Sequence, residues 1–335
     1  MERAGFAHHP FADAPREELE AVFSRLAGVS NEEGNKVVVG EVFGRIDTRA
    51  ALPGIEAVVE RWRPDLVLCE SSEFASYIVA EATGIPHVQV AIGLTSFGEL
   101  TLPVLEAPLT ELGAEPGLAS LQAAPTVTLV PESLEDGPTP GARRFRDDPG
   151  VGADRPLPDW WPGSSDPLVY VTFGSVAAGL GLFPDLYLDV IAAVADLPVR
   201  VLLTVGDAGD PDALGSVPRN VHVERWWPQT AVMAHAAAMV GHGGFGTTLS
   251  GLASGVPMVV VPLFADQPHN AHRVEAIGAG MVLEGGAGAV TGLAGALRRV
   301  LDDRSYRAAA RRVADEIAHL PPTSASVPFL EQLAR

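Results

Sequence analysis

The 335-residue sequence has one cysteine and one lysine. A single Cys69 excludes an internal disulfide and any site built from several cysteines. Within Leu66-Val67-Leu68-Cys69 it is expected as a buried, inert thiol. With Lys36 the sole lysine, the other basic residues are arginines scattered along the chain, a coding bias rather than a binding device. Positive charge is scarce: 23 basic against 42 acidic residues leaves a formal net charge of −19. Such a field repels phosphate backbones and anionic membranes, so no nucleic-acid partner is expected. Long hydrophobic runs are missing too. The longest, around Val256–Phe264, is far short of a membrane span. The start, MERAGFAHHP, lacks the apolar core of a secretory signal, so a cytoplasmic, reducing compartment is expected.

What the sequence does have is apolar content, 47% hydrophobic against 19% charged, which supports packed cores. At about 150 residues per domain the length implies roughly two domains. The sharpest compositional break lies at 135–167, dense in Pro, Gly and charge. The expected division is an N-terminal domain at 1–140, a linker at 141–166, a C-terminal domain at 167–314 and a terminal helix at 315–335. Beyond the linker, apolar runs predict strands at Leu168–Phe173, Arg200–Val205, Val221–Arg225, Ala238–Gly241, Met258–Phe264 and Met281–Glu284. Helical patterns at Pro184–Ala195, Gly246–Ala253 and Asn270–Ile277 separate several of them. Alternating strands and helices predict an α/β fold with a doubly wound parallel sheet. The first half predicts helices at Arg16–Leu26, Asn35–Trp62 and Ser72–Thr83, and strands at Pro64–Glu70, Pro86–Ile92 and Val127–Val130. No opening strand is visible in it.

In such sheets ligands bind beyond the carboxyl ends of the strands. The junction Gly241-His242-Gly243-Gly244-Phe245-Gly246-Thr247-Thr248 joins a strand to a helix through a glycine-rich turn. Backbone N–H groups, the helix dipole and two hydroxyls could hold a diphosphate there without lysine. Alone, the glycines serve equally for close strand–helix packing. Other predicted strand ends add to the signal. Trp226 offers a face for a nucleobase and Gln229 groups for a ribose. Asp266 and Gln267 suit sugar hydroxyls, and Ser175 adds a small hydroxyl. This is the layout of a nucleotide-sugar site.

Trp226-x-Pro228-Gln229, His242-Gly-Gly-x-Gly-Thr-Thr248, Gly255-Val256-Pro257 and Asp266-Gln267 stand in an order that resembles the UDP-glycosyltransferase superfamily. The likeness is strongest to bacterial antibiotic glycosyltransferases of macrolide and enediyne type, and runs from about residue 4 to the end. The resemblance implies a GT-B fold, two Rossmann-like domains facing a cleft, with the terminal helix at 315–335 crossing back to the N-terminal domain. It also implies inverting transfer of a sugar or deoxysugar from a TDP- or UDP-sugar to a small hydrophobic natural product. Trp226 would stack on the base, the Trp227 backbone pair with its edge and Gln229 contact the ribose. His242, Gly244, Gly246, Thr247 and Thr248 would hold the diphosphate, Ser175 approach it, and Asp266 and Gln267 bind the sugar. No metal or other cofactor is implied, and a homodimer is left open. Phe74 and Phe97 would wall the acceptor.

Two departures stand out. Ser250 replaces a Glu that in many relatives grips both ribose hydroxyls, which favours TDP- over UDP-sugars. The family's opening strand and the loop bearing its catalytic His have no counterpart in this sequence, so the base is expected outside it. His8 and His9 read as surface-loop residues, and Glu70 matches the acid that orients the missing His. An alternative is therefore an auxiliary protein that binds nucleotide sugars without turnover. A nucleotide-sugar epimerase fits less well, because the sugar edge shows mainly Asp266.

Overall fold

The computed structural model describes residues 5–148 and 154–335. The chain forms two compact units. One comprises the chain up to Leu129 with Gly137–Phe145 and Pro321–Arg335; the other comprises Val130–Asp136 and Arg146–Leu320.

The first unit holds a parallel sheet in the order β1 (Val67–Glu70), β2 (His87–Val90), β3 (Thr126–Thr128), β4 (Ala142–Arg144). Cys69, Phe74, Tyr77, Ile78, Leu105 and Leu109 are among the residues of its core. Burial pushes the Cys69 thiol up to about 12, which makes it inert. The helical pattern expected from Asn35 begins at Asn31 and continues unbroken to Trp62, with Val38–Asp47 wound more widely than an α-helix. Against that stretch lies the helix Thr95–Glu111, which the sequence reading missed because Pro103 and Pro108 interrupt its pattern. Gly40 and Gly44 permit the approach. A Cβ on Gly40 would stand 2.9 Å from the Val104 carbonyl oxygen, and one on Gly44 2.9 Å from Leu105 Cδ2. Gly40→Val is therefore expected to destabilise the protein by about 1–3 kcal/mol. A lower urea midpoint would show it; an unchanged one would mean that the two helices separate freely.

The second unit holds six parallel strands in the order β10-β9-β8-β5-β6-β7. They are β5 (Leu168–Thr172), β6 (Arg200–Thr204), β7 (Val221–Glu224), β8 (Ala236–Gly241), β9 (Met258–Val260) and β10 (Gly280–Val282). The chain runs from β5 outward to β7, then returns to lay β8 beside β5 and runs outward again. This is the doubly wound order. β5 is buried along its whole length. Val169, Val171, Val201, Leu203, Val240 and Val259 contribute to a core that also takes Leu186, Val190, Leu293 and Leu297 from helices.

The structure draws two boundaries differently from the sequence reading. The linker expected at 141–166 is not one free segment. Ala142–Arg144 pairs with β3 as an edge strand, where charged residues need no apolar partner. Trp160 stacks on His222 at 4.4 Å, so this part of the linker is packed onto the second unit. The terminal helix expected at 315–335 is also divided. Residues up to His319 finish the helix Arg304–His319, and Pro321–Arg335, with the short helix Val327–Leu333, groups with the first unit. Pro321 and Pro322 separate the two pieces.

Candidate functional site

At the centre of the six-stranded sheet, β5 and β8 lie side by side with Thr172 opposite Gly241. Their onward connections leave in opposite directions, so a crevice opens at their carboxyl ends. Both strands end in turns with left-handed glycines, Gly174 at φ +75° and Gly243 at φ +86°. His242 sits between them, 8% exposed. A Cβ on Gly174 would stand 2.8 Å from His242 Nε2, and one on Gly244 would overlap the ring. Glycine is needed at both positions because the imidazole fills the space. Burial pushes this imidazole down to about 4, and the Thr172 backbone offsets only part of that. The ring is thus neutral at pH 7, and its Nδ1 has no hydrogen-bond partner.

The helix Phe245–Ala253 opens directly after Gly244, and no side chain caps it. Its first N–H groups are therefore available to an anion. Gly246 is exposed in its first turn. Thr247 Oγ1 accepts from Gln229 Nε2 at 3.2 Å, which joins two residues expected at ribose and diphosphate. Thr248 departs from expectation. Its hydroxyl faces inward, buried and unpartnered, because the residue lies on the packed side of the helix. Ser250, two residues further on, is half-buried, and Ser175 is exposed beyond β5.

The two tryptophans after β7 face opposite ways. Trp226 is 59% exposed, as a base platform requires. Trp227 is buried, with the Arg155 guanidinium 3.7 Å above its ring and Trp160 edge-on at 5.0 Å. Beyond β9, Ala265 takes a left-handed φ of +54° and delivers Asp266 to the start of the helix Gln267–Ala276. Gln267 serves the loop more than the surface. It is 3% exposed, and its Oε1 accepts from the Leu263 and Phe264 N–H groups at 2.9 and 3.1 Å. Asp266 is half-buried; burial raises its carboxyl pKa, and a hydrogen bond from Asn270 opposes the rise. Sequence reasoning missed Asn270. Its signal was a polar residue opening a predicted helix, four positions after Asp266.

In the first unit, Glu70 ends β1 and accepts from the Ser72 N–H at 3.0 Å and from the Ser71 hydroxyl at 3.3 Å. Burial raises its pKa, these bonds opposing. Phe74, expected as an acceptor wall, is a core residue at 4% exposure, packed among Cys69, Tyr77 and Leu109. Phe97 is half-buried in the first turn of Thr95–Glu111. His8 and His9 are exposed, and His9 meets Arg61 at 2.7 Å. Among the described residues, no three His, Cys, Asp or Glu are grouped to hold a metal ion, and no helix is long and apolar enough to cross a membrane.

Two Rossmann-like units, one with a glycine-walled histidine at its switch point, form the GT-B fold, and the family and relatives that the chain matches make it a glycosyltransferase. The chain belongs to the EryCIII-like family. Residues 19–138 match the family described as erythromycin biosynthesis protein CIII-like, N-terminal domain, and residues 188–333 match its C-terminal domain. The chain is 32% identical over 282 residues to L-demethylnoviosyl transferase of Streptomyces niveus, covering 81% of this chain and 72% of that one. It also resembles the structure of the spinosyn rhamnosyltransferase SpnG, with TM-score 0.78, 20% identity and coverage of 92% and 83%. The Streptomyces sp. SF2575 glycosyltransferase SsfS6, solved with thymidine diphosphate, gives TM-score 0.68, 28% identity and coverage of 91% and 78%.

Proposed function

We propose that this protein transfers a sugar, preferentially a deoxysugar, from a TDP- or UDP-sugar to a hydroxyl of a small hydrophobic natural product, with inversion at the anomeric carbon. The observation that carries the reading is the His242 ring, held between Gly174 and Gly244 beside an uncapped helix start. In the reaction the acceptor oxygen bonds to the anomeric carbon as the bond to the diphosphate oxygen breaks. The acceptor proton passes to a base that this reading assigns to none of the described residues. Glu70 is the acid that would orient such a base. Negative charge growing on the leaving diphosphate meets the N–H groups of Gly244 and Gly246, the Thr247 hydroxyl and one N–H of His242. These are fixed dipoles, so the reading calls for no metal. Trp226 stacks on the base, with the Trp227 backbone at its edge, and Gln229 reaches the ribose while holding Thr247. Ser175 approaches the phosphates, Asp266 binds the sugar, and Phe97 is the remaining candidate wall for the acceptor. The thymidine diphosphate held by SsfS6 supports the donor class.

Titration with TDP and UDP, followed by transfer rates for matched TDP- and UDP-sugars, tests the reading. Ser250 can make at most one ribose hydrogen bond, so TDP donors should be preferred. Ser250→Glu should narrow the gap by raising UDP affinity. A strong UDP preference in the unmodified protein would sink the nucleotide assignment. Tight donor binding with no transfer to any acceptor would favour an auxiliary role instead.

A further inference from the structure

One buried side chain ties the sugar end of the donor site to its diphosphate end. Asn270 is 2% exposed and lies one helical turn beyond Asp266. Its Nδ2 donates to the Gly243 carbonyl at 2.9 Å and to Asp266 Oδ2 at 2.8 Å, using both amide hydrogens. Its Oδ1 is buried without a partner, an arrangement that normally costs stability and so calls for a reason. The surroundings leave these groups no slack. A Cβ on Gly243 would stand 2.8 Å from the Gln267 carbonyl oxygen, so the diphosphate turn is closed against the start of this helix. The left-handed Ala265 immediately before Asp266 is a backbone conformation that its neighbours must enforce.

We propose that Asn270 is a positioning residue for the donor, holding the Asp266 carboxylate ionised and at a set distance from the diphosphate turn. This rests on the donor reading given above. Asp266 can accept two sugar hydroxyls fully only as a carboxylate, whereas its partial burial favours the acid. An N–H from Asn270 opposes that preference and aims one oxygen. The same amide fixes the Gly243 carbonyl, so sugar and diphosphate are read as one rigid span. The titratable group facing Asp266 is His269 of the same helix, whose own pKa burial pushes down. Behind it, Asp136 lies 3.6 Å from His269 and pairs with Arg273 at 2.6 Å, while His272 also bears on His269.

The test compares TDP with TDP-glucose by calorimetry across pH. Asn270→Ala should weaken TDP-glucose about tenfold more than TDP, the loss of a hydrogen bond to a charged group. It should also move the acidic limb of TDP-glucose binding to higher pH. Asp266→Asn should remove the same sugar-dependent increment, and the double variant should lose little more than either single one. Asn270→Ser keeps a short donor and should restore part of the loss; it also serves if the alanine variant does not fold. Additive losses, or equal weakening of TDP and TDP-glucose with the limb unmoved, would overturn the role of Asn270. A wild-type protein that binds neither compound would overturn the donor reading itself.

Discussion

His242→Ala is expected to slow sugar transfer by about 10²–10³-fold, the usual cost of removing one preorganised donor from a developing negative charge. The ring is held closely by its surroundings. It occupies the space that a Cβ on Gly174 or Gly244 would need, so backbone on both sides fixes its plane. A donor that is already in place when charge develops loses nothing to reorganisation. Gly244→Ala should reproduce much of the defect by displacing the ring while the histidine remains. His242→Lys should not rescue, because a flexible ammonium cannot occupy a slot shaped by two glycines. Steady-state kinetics with circular dichroism of each variant checks this. A native-like alanine variant within threefold of wild type would remove His242 from the chemistry.

Acid should expose the same residue through stability. In the unfolded chain the imidazole titrates near 6.5, whereas in the folded protein burial holds it at about 4. Between those values the unfolded state binds a proton that the native state refuses, so stability falls as the pH drops through this window. The His242 contribution to that loss is about 3 kcal/mol once the pH is below 4. Glu70 and Asp266 act in the opposite sense near the bottom of the window, because burial raises both carboxyls and their native acid forms gain as the pH falls. The diagnostic quantity is therefore a difference. Urea unfolding of wild type and His242→Gln between pH 7 and 4.5 should show the variant losing clearly less stability. Parallel pH curves would mean that the native ring takes up its proton without penalty. Bound diphosphate should raise the folded value and so soften the acid loss.

Much of the second unit was legible because its strands are buried on both faces. Runs such as Leu168–Thr172 and Arg200–Thr204 read as nearly continuous apolar segments bounded by Pro or Gly. The same feature marked the glycine turn after β8 and, with it, His242. The first unit was harder to read. The helix Thr95–Glu111 carries two internal prolines, and β4 is three residues of which two are arginine, so neither shows the periodicity of its class. Arg143 lies over the Phe329 ring at 4.1 Å, almost two hundred positions away in the chain.

By itself the sequence determined the fold class, the doubly wound second unit and the strand ends at which a nucleotide sugar would be read. These follow from local pattern, since periodicity and glycine placement act within a few residues. Only the tertiary structure decided which way each side chain faces. Thr248 turned inward, Gln267 was taken up by its own loop, Phe74 joined the core and Asn270 emerged as the link between two turns. Those outcomes depend on which surfaces are already filled when a residue is packed. That is a property of neighbours distant in the chain, which no local pattern records.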